Sequence, residues 1–249
     1  GVQSVEVAGR YAYLNTSTGF SIIDISSASN PFRVGVVSFT NGGMRRGFLD
    51  GSYYYTGNAT TGLLYVIDVS DSKNPRVVSS NAVIGTTPYN TVVVGDHAYV
   101  SAQGSNLIKI FDIANPASQS TVGTINVSSP QFLETSGRYM HVGTNVGTSY
   151  IYDIANPASP SKVSTYTTSS NTYTSMRATG RYLYAASSVG NLVAFDVLDQ
   201  NSPRLVSRIN GSSNSSVALD IVGKYAYLLT ATRMWVVDIS GIETNALYT

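Results

Sequence analysis

A glycine followed by aromatic rings at its second and fourth successors recurs six times in this chain. The sets are Gly9, Tyr11, Tyr13; Gly51, Tyr53, Tyr55; Gly95, His97, Tyr99; Gly137, Tyr139, His141; Gly180, Tyr182, Tyr184; and Gly223, Tyr225, Tyr227. Successive glycines are 42, 44, 42, 43 and 43 residues apart. An apolar run ending in aspartate follows each glycine by 15 to 17 residues, at Asp24, Asp68, Asp112, Asp153, Asp196 and Asp238. Asn-Pro pairs come next at Asn30, Asn74, Asn115 and Asn156, and a proline stands seven residues after the aspartate at Pro31, Pro75, Pro160 and Pro203. Internal repeats of this period mean stacked or radial architectures.

Each repeat divides into four short runs of β-branched and aromatic residues, separated by Gly, Asn, Asp, Ser and Pro. Strand A precedes the glycine, strand B carries the aromatic pair, strand C runs into the aspartate, and strand D follows the proline. No segment shows a sustained helical period. Six four-stranded units of this length predict an all-β chain, a six-bladed β-propeller with four-stranded antiparallel blades. The expected blades are residues 1–42, 43–86, 87–128, 129–170, 171–213 and 214–249 of a single domain. A solenoid would want capping ends, and a sandwich has no need of six equal units.

The apolar run into Asp with the following Asn-Pro resembles the LVIVD repeat of bacterial and archaeal surface β-propellers. All six repeats carry the resemblance, although Gln119 and Asn245 replace the second proline in the third and sixth. The resemblance implies a propeller on or outside the cell, and it implies no activity, because the repeat marks a scaffold.

Composition narrows the partners. Charged residues are 12% of the chain and the net charge is +1, which argues against nucleic acid or acidic lipid held by bulk electrostatics. There is no Cys, so disulfides, thiol catalysis and thiolate metal centres are excluded. No apolar run is long enough for a membrane-spanning helix, and no cofactor fingerprint is present. The start at Gly1 without a basic–apolar leader fits a processed product, and the uncapped end fits one piece of a longer precursor.

One aspartate per blade at one position reads as structural, a carboxylate accepting N–H groups of the next turn. Of 18 tyrosines, 10 belong to the repeat and are expected to stack between blades. Tyr54, Tyr89, Tyr150 and Tyr173 are among those left over to stack on a sugar. Arg10, Arg138, Arg181 and Lys224 follow the repeat glycine and predict a solvated basic rim. Asn15, Asn58, Asn126, Asn210 and Asn214 head Asn-x-Ser/Thr sequons, expected in exposed loops of one face where glycans fit.

Strand A is expected innermost. Three residues before the glycine stand Glu6, Phe48, Val92, Glu134, Arg177 and Asp220, and two residues earlier Ser4, Arg46, Asn90, Phe132, Ser175 and Ala218. Glu6, Arg46, Glu134, Arg177 and Asp220 are therefore the candidates for a central channel. They are expected either as a paired ionic network or, for the three acids, as cation ligands. No catalytic residue and no metal site is predicted. Both histidines, His97 and His141, sit at tyrosine positions of the repeat.

The sixth repeat reaches strand C and leaves only Asn245–Thr249 for strand D, which predicts an open edge. The preferred reading is a non-enzymatic structural or adhesive protein, extracellular or on the cell surface. It would be glycosylated, and would self-associate or bind other surface proteins as a subunit of a filament or layer. The runner-up is a propeller binding a carbohydrate or cation in the channel or on the face of the B–C and D–A loops.

Overall fold

The computed structural model describes residues 2–16, 18–39, 43–82, 86–167, 172–210, 216–230 and 232–242. Each repeat is one antiparallel meander. The first holds β1 (Val2–Ala8), β2 (Tyr11–Thr16), β3 (Gly19–Asp24) and β4 (Phe32–Ser38). The second holds β5 (Phe48–Asp50), β6 (Tyr53–Asn58), β7 (Leu63–Asp68) and β8 (Arg76–Ala82). The third holds β9 (Pro88–Val94), β10 (His97–Ala102), β11 (Leu107–Asp112) and β12 (Ser120–Asn126). The fourth holds β13 (Pro130–Ser136), β14 (Tyr139–Thr144), β15 (Thr148–Asp153) and β16 (Ser161–Thr167). The fifth holds β17 (Tyr173–Thr179), β18 (Tyr182–Ser187), β19 (Leu192–Asp196) and β20 (Arg204–Ile209). The sixth holds β21 (Ser216–Val222), β22 (Tyr225–Thr230) and β23 (Met234–Asp238). Its expected fourth strand, Asn245–Thr249, lies outside the described residues. A single 3-10 turn, Gln103–Ser105, is the helical structure among the described residues.

The chain forms two compact units, residues 1–131 with 157–159, and residues 132–156 with 160–249. The first contains sheets one to three, and the second contains most of sheets four to six.

The repeat glycine makes the A–B hairpin. Gly9, Gly51, Gly95, Gly137, Gly180 and Gly223 all have φ between +53° and +58°. A Cβ at any of them would meet nothing within 4 Å. The demand for glycine is therefore backbone conformation, which an L-residue adopts at a cost of about 1–2 kcal/mol.

Strand D carries a device of its own. In β4, β8, β12, β16 and β20 the ladder slips by one residue at the same place. The skipped residue is a valine each time: Val34, Val78, Val122, Val163 and Val206. A small residue follows it: Gly35, Ser79, Gly123, Ser164 and Ser207. Such a bulge bends the strand and re-aims a side chain. In the first unit, a Cβ on Gly35 would stand 2.2 Å from the Ser72 carbonyl oxygen and 2.8 Å from Pro75 Cδ. Ser79 Oγ donates to the Pro116 carbonyl at 3.0 Å, and in the second unit Ser164 Oγ donates to the Gln200 carbonyl at 2.7 Å. The small residue thus receives the C–D turn of the next sheet.

The cores between sheets follow one rule. The forward face of a sheet offers the fourth residue after its glycine and the second and fourth before its aspartate: Tyr13, Ile22, Phe20 or Tyr55, Val66, Leu64 or Tyr184, Ala194, Leu192. The rear face of the next sheet answers with Leu49, Tyr54 and Ile67, or Val93, Ala98 and Phe111, or Ile221, Ala226 and Val237. Tyr13 stacks on Tyr54 with centroids 6.3 Å apart, and Phe20 lies 4.8 Å from Tyr54.

Candidate functional site

The repeat aspartates end strand C, and all six do the same work. Oδ1 of Asp24, Asp68, Asp112, Asp153, Asp196 and Asp238 accepts the backbone N–H two residues on, at 2.9 to 3.1 Å. Where that residue is serine, its hydroxyl donates to the same oxygen, as Ser26, Ser70 and Ser240 do. In four sheets the other oxygen takes the cation that follows the repeat glycine. Arg10 pairs with Asp24, Arg138 with Asp153, Arg181 with Asp196, and Lys224 with Asp238. The same cations lie 5.2 to 5.5 Å from the ring centres of Tyr11, Tyr139, Tyr182 and Tyr225. In the second sheet Ser52 takes the cation's place, and Arg76 from β8 reaches Asp68 at 2.7 Å instead.

The cations after the glycine are exposed, as expected, and each is also held between a repeat tyrosine and a repeat aspartate. The first tyrosine of each of these pairs lies under a cation, and Tyr11 and Tyr182 also pack on the core shared with the next sheet. The electrostatic consequence is direct. The Ser26 hydroxyl and N–H, with Arg10, hold the Asp24 carboxyl down at about 2. Asp68 and Asp238 are lowered chiefly by their serine hydroxyls, and Asp153 and Asp196 chiefly by their arginines.

The inner-strand charges form a second set. In the first unit Glu6 Oε2 accepts the Leu49 N–H at 2.8 Å. In the second unit Glu134 Oε1 accepts the Ala178 N–H at 3.2 Å. Leu49 and Ala178 both lie two residues before a repeat glycine, so the two glutamates perform one sheet-to-sheet bond at equivalent places. Arg177 stands between Glu134, at 3.8 Å, and Asp220, at 3.3 Å. A guanidinium thus lies between Glu134 and Asp220, the paired arrangement that was the first of the two expectations for these acids. Among the described residues no group of three or more His, Cys, Asp or Glu is arranged to hold a metal. Arg46 contributes through its main chain: its N–H donates to Tyr89 O and its carbonyl accepts from Thr91 N–H. That parallel bridge to Asn90 joins the inner edges of sheets two and three.

The sequons separate. Asn15 and Asn58 are fully buried at the ends of β2 and β6, not in exposed loops. The Asn15 amide donates to the Arg45 carbonyl and, at 3.0 Å, to Thr56 Oγ1. Asn58 Oδ1 accepts from the N–H groups of Thr60 and Thr61 at 2.9 and 3.1 Å. Both are structural, and neither can carry a glycan in the folded chain. Asn126 and Asn210 are exposed, and Asn214 lies outside the described residues. Of the spare tyrosines, Tyr54 and Tyr173 are core residues, which leaves Tyr89 and Tyr150 half-buried.

Two features go beyond what the repeat foretold. The docking of a C–D turn on the preceding strand D leaves a groove of about 450 Å³ lined by Arg33, Gly35, Lys73, Pro75 and Arg76. Its signal, valine followed by Gly or Ser a few residues after each proline, is written five times in the sequence. The second feature is His141, fully buried in β14 with neither ring nitrogen hydrogen-bonded. Burial pushes its pKa down to about 4.

Repeated antiparallel four-stranded sheets, joined face to face and capped by one aspartate each, define a β-propeller. A family model described as a β-propeller domain matches residues 49–245, and one described as the LVIVD repeat matches residues 1–38. The chain belongs to the LVIVD-repeat β-propellers. No curated protein matches it significantly in sequence. Among solved structures, a putative 6-phosphogluconolactonase from Bacteroides uniformis superimposes with a TM-score of 0.82 at 16% identity, over 96% of this chain and 80% of that one. A protein from Lactobacillus plantarum gives 0.81 at 14%, over 93% and 78%. BamB from Moraxella catarrhalis gives 0.64 at 16%, over 93% and 67%. At these identities the likeness is one of fold.

Proposed function

We propose that this chain is a non-enzymatic structural and adhesive propeller, extracellular or on the cell surface, and a subunit of a self-associating filament or layer. The observation that carries this reading is the use made of its scarce charges. Glu6 and Glu134 bind the backbone of the next sheet, Arg177 joins Glu134 to Asp220, and the six aspartates close turns. Glu6, Glu134 and Asp220 are the inner-strand acids that a carboxylate-based hydrolase would most simply use as its acid and base. Asn126 and Asn210 are the glycan positions under this reading. Electron micrographs of the native particle with its intact mass test it. Defined polymers and added glycan mass are expected, and a monomer without added glycan mass at every concentration would overturn it.

A second reading, carbohydrate binding, is favoured by the groove at Arg33, Lys73 and Arg76, whose cations and Pro75 ring suit an acidic sugar. A glycan array with the Arg33→Ala, Lys73→Ala double variant as control separates the two.

A further inference from the structure

Within the first unit, strand D and the next C–D turn flank a groove twice. The first groove, between β4 and the turn before β8, is lined by Arg33, Lys73, Pro75 and Arg76. The second, of about 330 Å³ between β8 and the turn before β12, is lined by Tyr53, Arg76, Val78, Asn115 and Pro116. Arg76 lines both, so the two grooves adjoin.

The docking of turn on strand does not by itself explain the charge of the first groove. Arg33 stands just before the bulged valine, where the other strands carry Val77, Thr121, Lys162 and Leu205. Lys73 stands in its turn where others carry Ser29, Ala117, Ala158 and Asn201. No other strand D and following turn carry a cation at both places. Among the described residues neither Arg33 nor Lys73 forms an ion pair. Arg76 gives one Nη to Asp68 at 2.7 Å, and a guanidinium has further N–H groups to offer. Asp71, two residues before Lys73, turns both oxygens back on its own loop, to the Lys73 N–H and the Asn74 amide.

The second groove differs in its ring. In four sheets the first tyrosine of the repeat lies under the cation that follows the glycine. Ser52 leaves Tyr53 without that cover, so its ring packs on the core at one side and lines the groove at the other. Asn115 accepts the Ala117 N–H with Oδ1, which leaves its amide N–H groups to donate. A ring beside an amide can hold a neutral sugar, the ring under its C–H face and the amide on a hydroxyl.

We infer that the two grooves form one saccharide site, in which Arg33, Lys73 and Arg76 bind a sulfate or phosphate ester and Tyr53 carries the neighbouring neutral ring. This rests on the carbohydrate reading above and names the anion. A carboxylate presents two oxygens in one plane, which a single guanidinium already matches. An ester sulfate or phosphate presents three free oxygens about a tetrahedral centre, and cations from a strand, a turn and the next strand can meet them together.

Lactose provides the test, bare or carrying a sulfate, a phosphate or a carboxylate at C6 of its galactose, titrated into the full chain by nuclear magnetic resonance. Both esters are expected to bind about tenfold more tightly than the carboxylate form. The tighter of the two identifies the ester. Arg33→Ala and Lys73→Ala are each expected to weaken the esters about tenfold and to leave bare lactose unchanged. Tyr53→Leu, with its fold checked by far-ultraviolet circular dichroism, is expected to weaken all four sugars. Lys162→Ala, at the same strand position as Arg33 in the fourth sheet, is expected to change none. A carboxylate form that binds as tightly as the esters overturns the choice of anion and leaves the carbohydrate reading standing. Ester binding that survives the Arg33→Ala, Lys73→Ala double variant overturns the site, again without touching that reading. Inorganic sulfate that binds as tightly as the sulfated sugar overturns the role of Tyr53. No binding of any of the four sugars overturns the inference and removes the carbohydrate reading with it.

Discussion

His141 shows how one residue of a repeat acquires a property that its neighbours lack. It replaces a tyrosine at a position buried in the other blades of the same class, such as Tyr55 and Tyr99, and brings two polar nitrogens into an apolar wall. Its pKa is about 4 in the fold and about 6.5 in the open chain. The unfolded state therefore binds more protons between those values, and stability falls as pH drops from 6.5 towards 4. The expected slope is on the order of 1 kcal/mol per pH unit across that window. His141→Tyr, which restores the repeat residue, is expected to flatten it, as read by urea midpoints at pH 7, 6 and 5. The aspartates act lower down. Asp24 has a depressed pKa, so its contribution is complete above the ordinary carboxylate value of 3.8 and is lost as pH falls towards 2. Asp24→Asn is expected to lower the melting temperature at pH 7 and to leave less acid sensitivity below pH 4, seen by calorimetry. The six aspartates were legible as structural from their spacing alone. Asn15 and Asn58 were not legible, because a sequon carries no information on whether its amide faces solvent or a neighbouring strand.

Among elements, strand D is where local sequence and packing meet. The bulged valine and the small residue after it decide how near the next C–D turn can come. Gly35→Val places a branched side chain where the Ser72 carbonyl already lies at 2.2 Å from a Cβ. The expected loss is about 1–3 kcal/mol by equilibrium unfolding, the range for overpacking. Gly9→Ala has open space around its Cβ and suffers only the positive φ. Its expected loss is smaller, about 1 kcal/mol. A larger loss at Gly9 than at Gly35 would contradict the assignment of strain to one and crowding to the other. At the same scale, intact-mass and peptide mapping of native material is expected to find glycans on Asn126 or Asn210 and none on Asn15 or Asn58. Strand number, order and the A–B turns could be read from the sequence, since alternation and glycine are local signals. The bulge could not be read, because a one-residue slip shows only when both strands of the ladder are placed.

At the scale of the whole molecule, charges are few and nearly balanced at +1. Stability is accordingly expected to respond weakly to salt, and melting is expected to be unchanged by EDTA or added Ca²⁺. A rise of several degrees with Ca²⁺ would restore a cation to the inner strands. The sequence by itself determined the architecture. Six equal periods, each with a turn glycine, an aromatic pair and a capping aspartate, admit few folds, because every landmark acts within about forty residues of its partner. Only the tertiary structure decided the fate of particular side chains: that Arg177 stands between Glu134 and Asp220, that two sequons are buried, and that each small residue of strand D receives the next C–D turn. The reason is physical. Strands and turns answer to neighbours along the chain, whereas burial, pairing and exposure answer to neighbours in space, and these come from blades some 43 residues away.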